Sequence, residues 1–211
     1  MQKITPYSRF VTFEGIDFSG KSIQAKLLYE KLLEKKKEVF LFRDPGTTAI
    51  SESIREILLD TSHTQMSPWT ELLLYEAARA QMVEECFQPN SRCIIICDRF
   101  FDSTTAYQGY ARNLDLVLVR QANEIGSCGI VPAMTFLIDV EPKTALERKK
   151  RLKKKSDRME AEGLDFQTRV RLGYLDIARA EPERVVVVNG HGSIEDIHRQ
   201  IWQTFNRFVM R

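Results

Sequence analysis

An α/β fold, a five-stranded parallel sheet with helices on both faces, is what this 211-residue sequence predicts. Three observations carry that expectation. Five short runs rich in β-branched and aromatic residues recur along the chain, and longer helix-patterned stretches separate them. Each run is nearly continuous in apolar residues rather than alternating, as expected of strands covered on both faces. Strand-then-helix alternation of this kind builds parallel, right-handed α/β units.

In chain order, the first strand is read at residues 9–14, and a helical pattern over 21–35 follows it. The second strand, 38–43, precedes two helical patterns at 50–60 and 68–87. The third strand is 93–98, followed by a helix over 114–125; the fourth is 133–139, followed by helices over 143–154 and 165–180. The fifth strand, 184–189, leads into a last helix over 193–208. The sequence has no internal repeat, low-complexity tract or Pro/Gly/Ser linker, so residues 1–211 read as a single domain.

Composition narrows the function class. A formal net charge of +2 implies no general affinity for nucleic acid or membrane. No apolar stretch approaches the ~20 residues that span a bilayer, and the first residues lack a signal-peptide core. Cys86, Cys93, Cys97 and Cys128 form no CxxC pair and read as reduced thiols rather than metal ligands. A soluble cytoplasmic protein with small-molecule substrates is the expectation.

Directly after the first strand comes Glu14-Gly15-Ile16-Asp17-Phe18-Ser19-Gly20-Lys21-Ser22, followed by a helix. Gly15, Gly20, Lys21 and Ser22 satisfy GxxxxGK[ST] in the strand–loop–helix context that the pattern requires. Loop N–H groups and the helix amino end cradle phosphate oxygens. Lys21 is placed to reach the β- and γ-phosphates of ATP, and Ser22 to offer a hydroxyl to Mg²⁺. The fold class is therefore read as a three-layer P-loop NTPase fold.

Ligands in such sheets bind beyond the carboxyl ends of the strands. After the second strand comes Arg43-Asp44-Pro45-Gly46-Thr47-Thr48, and after the third Asp98-Arg99-Phe100-Phe101-Asp102-Ser103-Thr104-Thr105-Ala106-Tyr107-Gln108. Tyr75 and Arg79 lie four apart in the helix between them, an aromatic ring and a guanidinium on one face that suit a planar base. Blander readings stand beside these: Tyr75 as a core aromatic, Asp98-Arg99 as a strand-end ion pair, and Asp44-Pro45-Gly46 as a turn.

These segments, in order and at compatible spacing, resemble EGxDGxGKxT, REPGGT, an Ala-x-Arg helix, DRYxxSxxAYQ and DRxE of the thymidylate kinase family, of bacterial type. The resemblance runs over nearly the whole chain. It implies that Arg79 and Thr104 contact the thymine edge, that Tyr75 stacks on the ring, and that Tyr107 crowds a 2′-hydroxyl. It further implies that Arg43 and Arg99 hold the dTMP phosphate, with Pro45 and Gln108 in the same pocket. Asp17 helps position the substrate or the Mg²⁺ shell, and Asp98 is the candidate carboxylate in the metal's outer shell. ATP is the co-substrate, and a homodimer is implied through packed helices. The loop around Asn189-Gly190 is the expected adenine location.

The densest charge cluster, residues 148–158, ends in Asp157-Arg158-Met159-Glu160. It reads as a solvated helix end, a nucleic-acid patch or a mobile lid over ATP, and its position after the fourth strand and its helix favours the lid. Arg151 and Arg158 are the expected phosphate contacts. Four departures from the family pattern stand out: Phe18 where a small residue or Arg is usual, Asp44 for Glu, Thr47 for Gly, and Phe100 for Tyr. A bulky residue at Phe18 forced to positive φ would cost ~1–2 kcal/mol. Two rivals accompany the reading: a kinase for another deoxynucleotide or deoxynucleoside, and a weakened ATP-binding regulator.

Overall fold

The computed structural model describes residues 6–152 and 156–209. Lys153 and Lys154, which end the helix expected over 143–154, and Lys155, with them in the basic segment, lie outside the described residues. The elements run β1 Pro6–Glu14, α1 Lys21–Glu34, β2 Val39–Arg43, α2 Ala49–Leu59, α3 Pro68–Met82, β3 Ile94–Asp98, α4 Phe101–Thr104 and α5 Leu116–Gly126. They continue as β4 Val131–Asp139, α6 Pro142–Leu152, α7 Leu164–Ala180, β5 Val185–Asn189 and α8 Ile194–Val209. Among the described residues the strands form one parallel sheet, in the order β2-β3-β1-β4-β5.

That order explains where a ligand belongs. The chain leaves β1 toward β2 at one edge, returns through β3, then crosses over β1 to β4 and β5. The register sets Asp98 beside both Phe13 and Arg43, and Glu14 beside Leu137, so the carboxyl ends of the strands open on one crevice.

Apolar strands demand cover on both faces. On one face Val11, Phe13, Ile96 and Phe136 pack with Leu28 of α1 and Ile201 of α8. On the other, Phe10, Ile95 and Cys97 pack with Met82 and Phe87, and Leu137 with Val170 and Tyr174 of α7. Phe10 meets Phe87 and Phe100 edge-on at 4.8 and 4.9 Å between centroids. Phe100 is fully buried in this aromatic cluster, with the Arg79 guanidinium 5.4 Å from its ring centroid.

Caps fix helix starts that periodicity placed loosely. Ser67 accepts from the Thr70 N–H ahead of Pro68, Thr48 from Ser51 N–H, and Asp115 from Val117 and Leu118 N–H. Such side chains satisfy amide donors that a helix start leaves orphaned. Two segments differ from expectation. The helix expected over 68–87 is α-helical only to Met82 and π-helical over Val83–Phe87. The stretch after β3, where the sequence suggests no helix, is α4 followed by a π-helical segment Thr105–Ala111. Its Ser and Thr residues have poor helix propensity, and packing of this segment on α7 overrides it.

Candidate active site

The loop from Gly15 to Gly20 is shaped by backbone that only glycine holds easily. Gly15 has φ +139°, and a Cβ there would stand 2.6 Å from the Ile138 carbonyl oxygen. Gly20 has φ +101° and precedes α1 without a side chain of its own to cap it; the Lys21 N–H reaches Ser19 Oγ at 3.4 Å. Phe18 does adopt positive φ, +63°. Its ring packs against the Met159 and Phe166 cluster, and Lys149 Nζ lies 5.7 Å from the ring centroid. The strain foreseen from the sequence is thus offset by contact with α6 and the 157–163 segment.

A cavity of about 760 Å³ runs from this loop to α3. At the loop end lie Ser19, Gly20, Ser22 and Lys21, whose side chain is buried. Lys21 Nζ reaches the Ile16 carbonyl at 3.4 Å and Asp17 Oδ1 at 3.8 Å. Burial, and then the neighbouring Arg99, depress the Lys21 pKa against the pull of Asp17. Arg148 bridges the loop to the far wall, donating to the Ser19 and Gly190 carbonyls at 2.8 and 2.6 Å. Gly190 and Gly192 line the same end, where the adenine was expected.

At the other end three guanidiniums converge. Arg43, Arg55 and Arg99 all line the cavity. Arg43 holds Glu52 at 2.8 Å, while Arg55 donates to the Pro45 carbonyl at 3.0 Å. Burial first, then repulsion from Arg43 and Arg99, lowers the Arg55 pKa. Like charges gathered with too few carboxylates make a site for an anion. Arg99, at φ +74°, pairs with Asp17 at 2.6 Å. The blander reading, a strand-end ion pair with Asp98, is therefore not the pair formed. Burial opposes ionisation of Asp17, yet Arg99 and Lys21 hold its carboxyl below the usual range. Tyr107 donates to Asp17 Oδ2 at 3.1 Å and accepts from Arg99 at 3.2 Å.

Arg79 sits at the floor with 1% exposure. It donates to Asp44 at 2.5 Å, to Glu76 at 2.6 Å and to Thr104 at 2.7 Å. Asp44-Pro45-Gly46 is thus more than a turn: its carboxylate anchors the buried arginine despite its shorter side chain. Thr104 accepts from Arg79, so its own hydroxyl hydrogen is directed elsewhere. Tyr75 borders the cavity rather than ending in the core. Gln108 also lines it and donates to Glu71 at 2.8 Å. Thr47 takes φ +80°, and its hydroxyl closes the loop by accepting from Arg43 N–H at 3.0 Å.

Of the two arginines expected from the basic segment, Arg151 lines the cavity. Arg158 instead donates to Glu71 at 2.6 Å and to the Leu58 carbonyl at 2.8 Å. Asp98 and Ser22 are both at the cavity, and Asp98 Oδ1 is buried without a hydrogen-bond partner. Such an orphaned oxygen suits the outer shell of a hydrated cation. Among the described residues no cluster of three or more His, Cys, Asp or Glu forms a protein-only metal cage. A magnesium ion bound largely through phosphates and water needs none.

Sequence reading missed Arg55, Glu71 and Tyr174, and placed Arg148 only as part of the basic segment. Arg55 and Arg148 carried only the weak signal of cations on helices next to phosphate-facing loops. Glu71 and Tyr174 carried none, since their partners come from distant segments.

The thymidylate kinase family model matches residues 13–201. A thymidylate kinase of Prosthecochloris aestuarii is 46% identical over 205 residues, covering 92% of each chain. One of Kosmotoga olearia is 44% identical over 198 residues, covering 93% of this chain and 94% of the relative. Among solved structures, thymidylate kinase from Ehrlichia chaffeensis superposes with a TM-score of 0.76 at 34% identity, covering 93% and 97% of the two chains.

Proposed function

The chain belongs to the thymidylate kinase family, and on that premise we propose that it transfers the γ-phosphoryl group of ATP to dTMP, giving dTDP and ADP. The observation that carries this reading is the single cavity with a phosphate cradle at one end and Arg43, Arg55 and Arg99 at the other. An acceptor facing three arginines already bears phosphate. Its attacking oxygen is anionic at neutral pH, so the step needs no strong general base.

The residues divide the work between them. Loop N–H groups from Gly15 to Ser22, with Ile16, Phe18 and Ser19 contributing backbone, hold the triphosphate, and Lys21 offsets charge where it develops. Arg43 and Arg99 grip the acceptor phosphate, Arg55 adds to their field, and Tyr107 closes on the sugar beside Asp17. Arg79, Thr104 and Gln108 face the base edge, Tyr75 its ring, and Pro45 completes the wall. Ser22 and Asp98, with Asp17 nearby, would hold Mg²⁺, which supplies charge neutralisation at the transferring group. Arg151 is the cation that segment 148–160 delivers as it covers ATP. Arg158 anchors that segment to Glu71. Alignment of two bound phosphates and exclusion of water then supply most of the rate.

The enzyme works in the cytoplasm, as its unpaired cysteines suit, and as a homodimer. Exposed Trp69 and Leu73 on α3 and Val117, Leu118 and Ile125 on α5 form an apolar face of the kind a second copy covers. Sedimentation at the mass of one chain would contradict the dimer.

A coupled ADP-release assay with ATP, Mg²⁺ and dTMP, dUMP, dCMP, dGMP or UMP tests the substrate. Strong preference for dTMP is expected. Preference for another monophosphate would overturn the base-pocket assignment, and turnover with none would overturn the kinase reading.

A further inference from the structure

We propose that Tyr174 is a positioning residue for Arg99, through which α7 sets the geometry of the acceptor end of the cavity. The inference rests on the reading of Arg99 as a ligand of the acceptor phosphate. Tyr174 is buried, and its ring needs only apolar and aromatic neighbours, among them Tyr107 at 6.3 Å between centroids. Phenylalanine would meet that packing. The hydroxyl has a separate task.

That hydroxyl donates to Glu14 Oε2 at 2.9 Å and accepts from Arg99 Nη1 at 3.0 Å. Ser103 repeats the arrangement: its Oγ donates to the same Glu14 oxygen at 2.6 Å and accepts from Arg99 Nη1 at 3.0 Å. Each hydroxyl has one hydrogen. The two hydroxyl oxygens also lie 2.8 Å apart, within hydrogen-bond reach of each other, and because a guanidinium only donates, both turn lone pairs toward Arg99. The other Glu14 oxygen is held by Phe100 N–H at 2.7 Å, so the carboxylate cannot swing away. Nη1 also reaches the Gly15 carbonyl at 3.0 Å, so Tyr174, Ser103 and Gly15 together hold one end of the planar guanidinium while Nη2 faces Asp17 and Tyr107. Arg99 follows β3 at φ +74°, a backbone state that tertiary contacts must maintain.

The position of Tyr174 is itself determined. A Cβ at Gly173 would come within 2.7 Å of the Tyr110 ring, so glycine lets α7 lie close against the 105–111 segment. α7 starts at Leu164, a few residues after the basic segment.

A double-mutant cycle with Tyr174→Phe and Arg99→Ala tests this, with KM for dTMP, KM for ATP, kcat and urea unfolding measured for each protein. Tyr174→Phe keeps the ring, and Ser103 and Phe100 still satisfy Glu14, so a folded protein is expected. The expected result is a rise in KM for dTMP or a fall in kcat of about tenfold, KM for ATP within about twofold, and no further loss when the change is added to Arg99→Ala. Wild-type kinetics in Tyr174→Phe, or effects that multiply in the double variant, would overturn the proposal. If Arg99→Ala alters KM for ATP but not for dTMP, the acceptor reading of Arg99 fails. Non-additivity in the ATP parameters would then still uphold the Tyr174–Arg99 coupling, and additivity would refute it.

Discussion

The two ends of the cavity are built in opposite ways. The donor end is mostly backbone, one loop of consecutive residues from Gly15 to Ser22 whose shape follows from two glycines at positive φ. The acceptor end is mostly side chains, contributed by β2 and the loop after it, by α2 and α3, and by the turn and helix after β3. They are locked by buried ion pairs such as Arg79 with Asp44 and Glu76. A backbone cradle tolerates side-chain change except at the residues that carry its charge or its φ. A side-chain lattice fails wherever one member leaves the others unpaired.

The sharpest test of the contrast is Lys21→Ala. It removes a charge from the donor end but little packing, so kcat is expected to fall by about 10³-fold or more while the unfolding midpoint stays within a few degrees. Near-normal turnover would remove Lys21 from the mechanism.

Arg79→Ala should act on both function and fold. It strands the buried carboxylates of Asp44 and Glu76, and breaking a buried pair this way costs about 3–5 kcal/mol. Urea unfolding and dTMP selectivity should therefore deteriorate together. A stable variant that had lost only selectivity would show that the acceptor end is no more interlocked than the donor end.

Glu14, between the two ends, gives a smaller effect that depends on pH. Burial and then the nearby Asp102 raise its carboxyl to about 7. The folded protein therefore holds this proton more tightly than the unfolded chain. Its contribution to stability is full below pH 4.5, the ordinary value, and is lost as pH rises through about 7. The slope from one group is at most ~1.4 kcal/mol per pH unit. Glu14→Gln should flatten that slope in unfolding measured from pH 4.5 to 8, and an unchanged slope would place the titration elsewhere.

The same contrast explains what the sequence made legible. All five strands and the phosphate loop are local patterns, and each was placed within a few residues. Arg43, Arg99, Thr104 and Tyr107 stood out through motifs that follow strands, Tyr75 and Arg79 through their spacing on one helix, and all six line one cavity. Tyr174 was not, because a tyrosine on an apolar helix face reads as core until its hydroxyl is seen beside Glu14 and Arg99, residues 160 and 75 positions away. Arg158 was read as a phosphate contact because it sits in a basic run. Its guanidinium is instead held by Glu71, 87 residues earlier, a partner that sequence spacing does not reveal. The helix after β3 stayed hidden because its Ser and Thr residues signal helix weakly and its packing on α7 comes from a distant segment.

The central claim is that one cavity joins a triphosphate cradle to a phosphate-bearing acceptor, and it is tested most directly by following the phosphoryl group itself. With γ-labelled ATP, Mg²⁺ and dTMP, the account predicts label in dTDP with little free phosphate. Label released as free phosphate, or retained in ATP while dTMP stays unchanged, would contradict it.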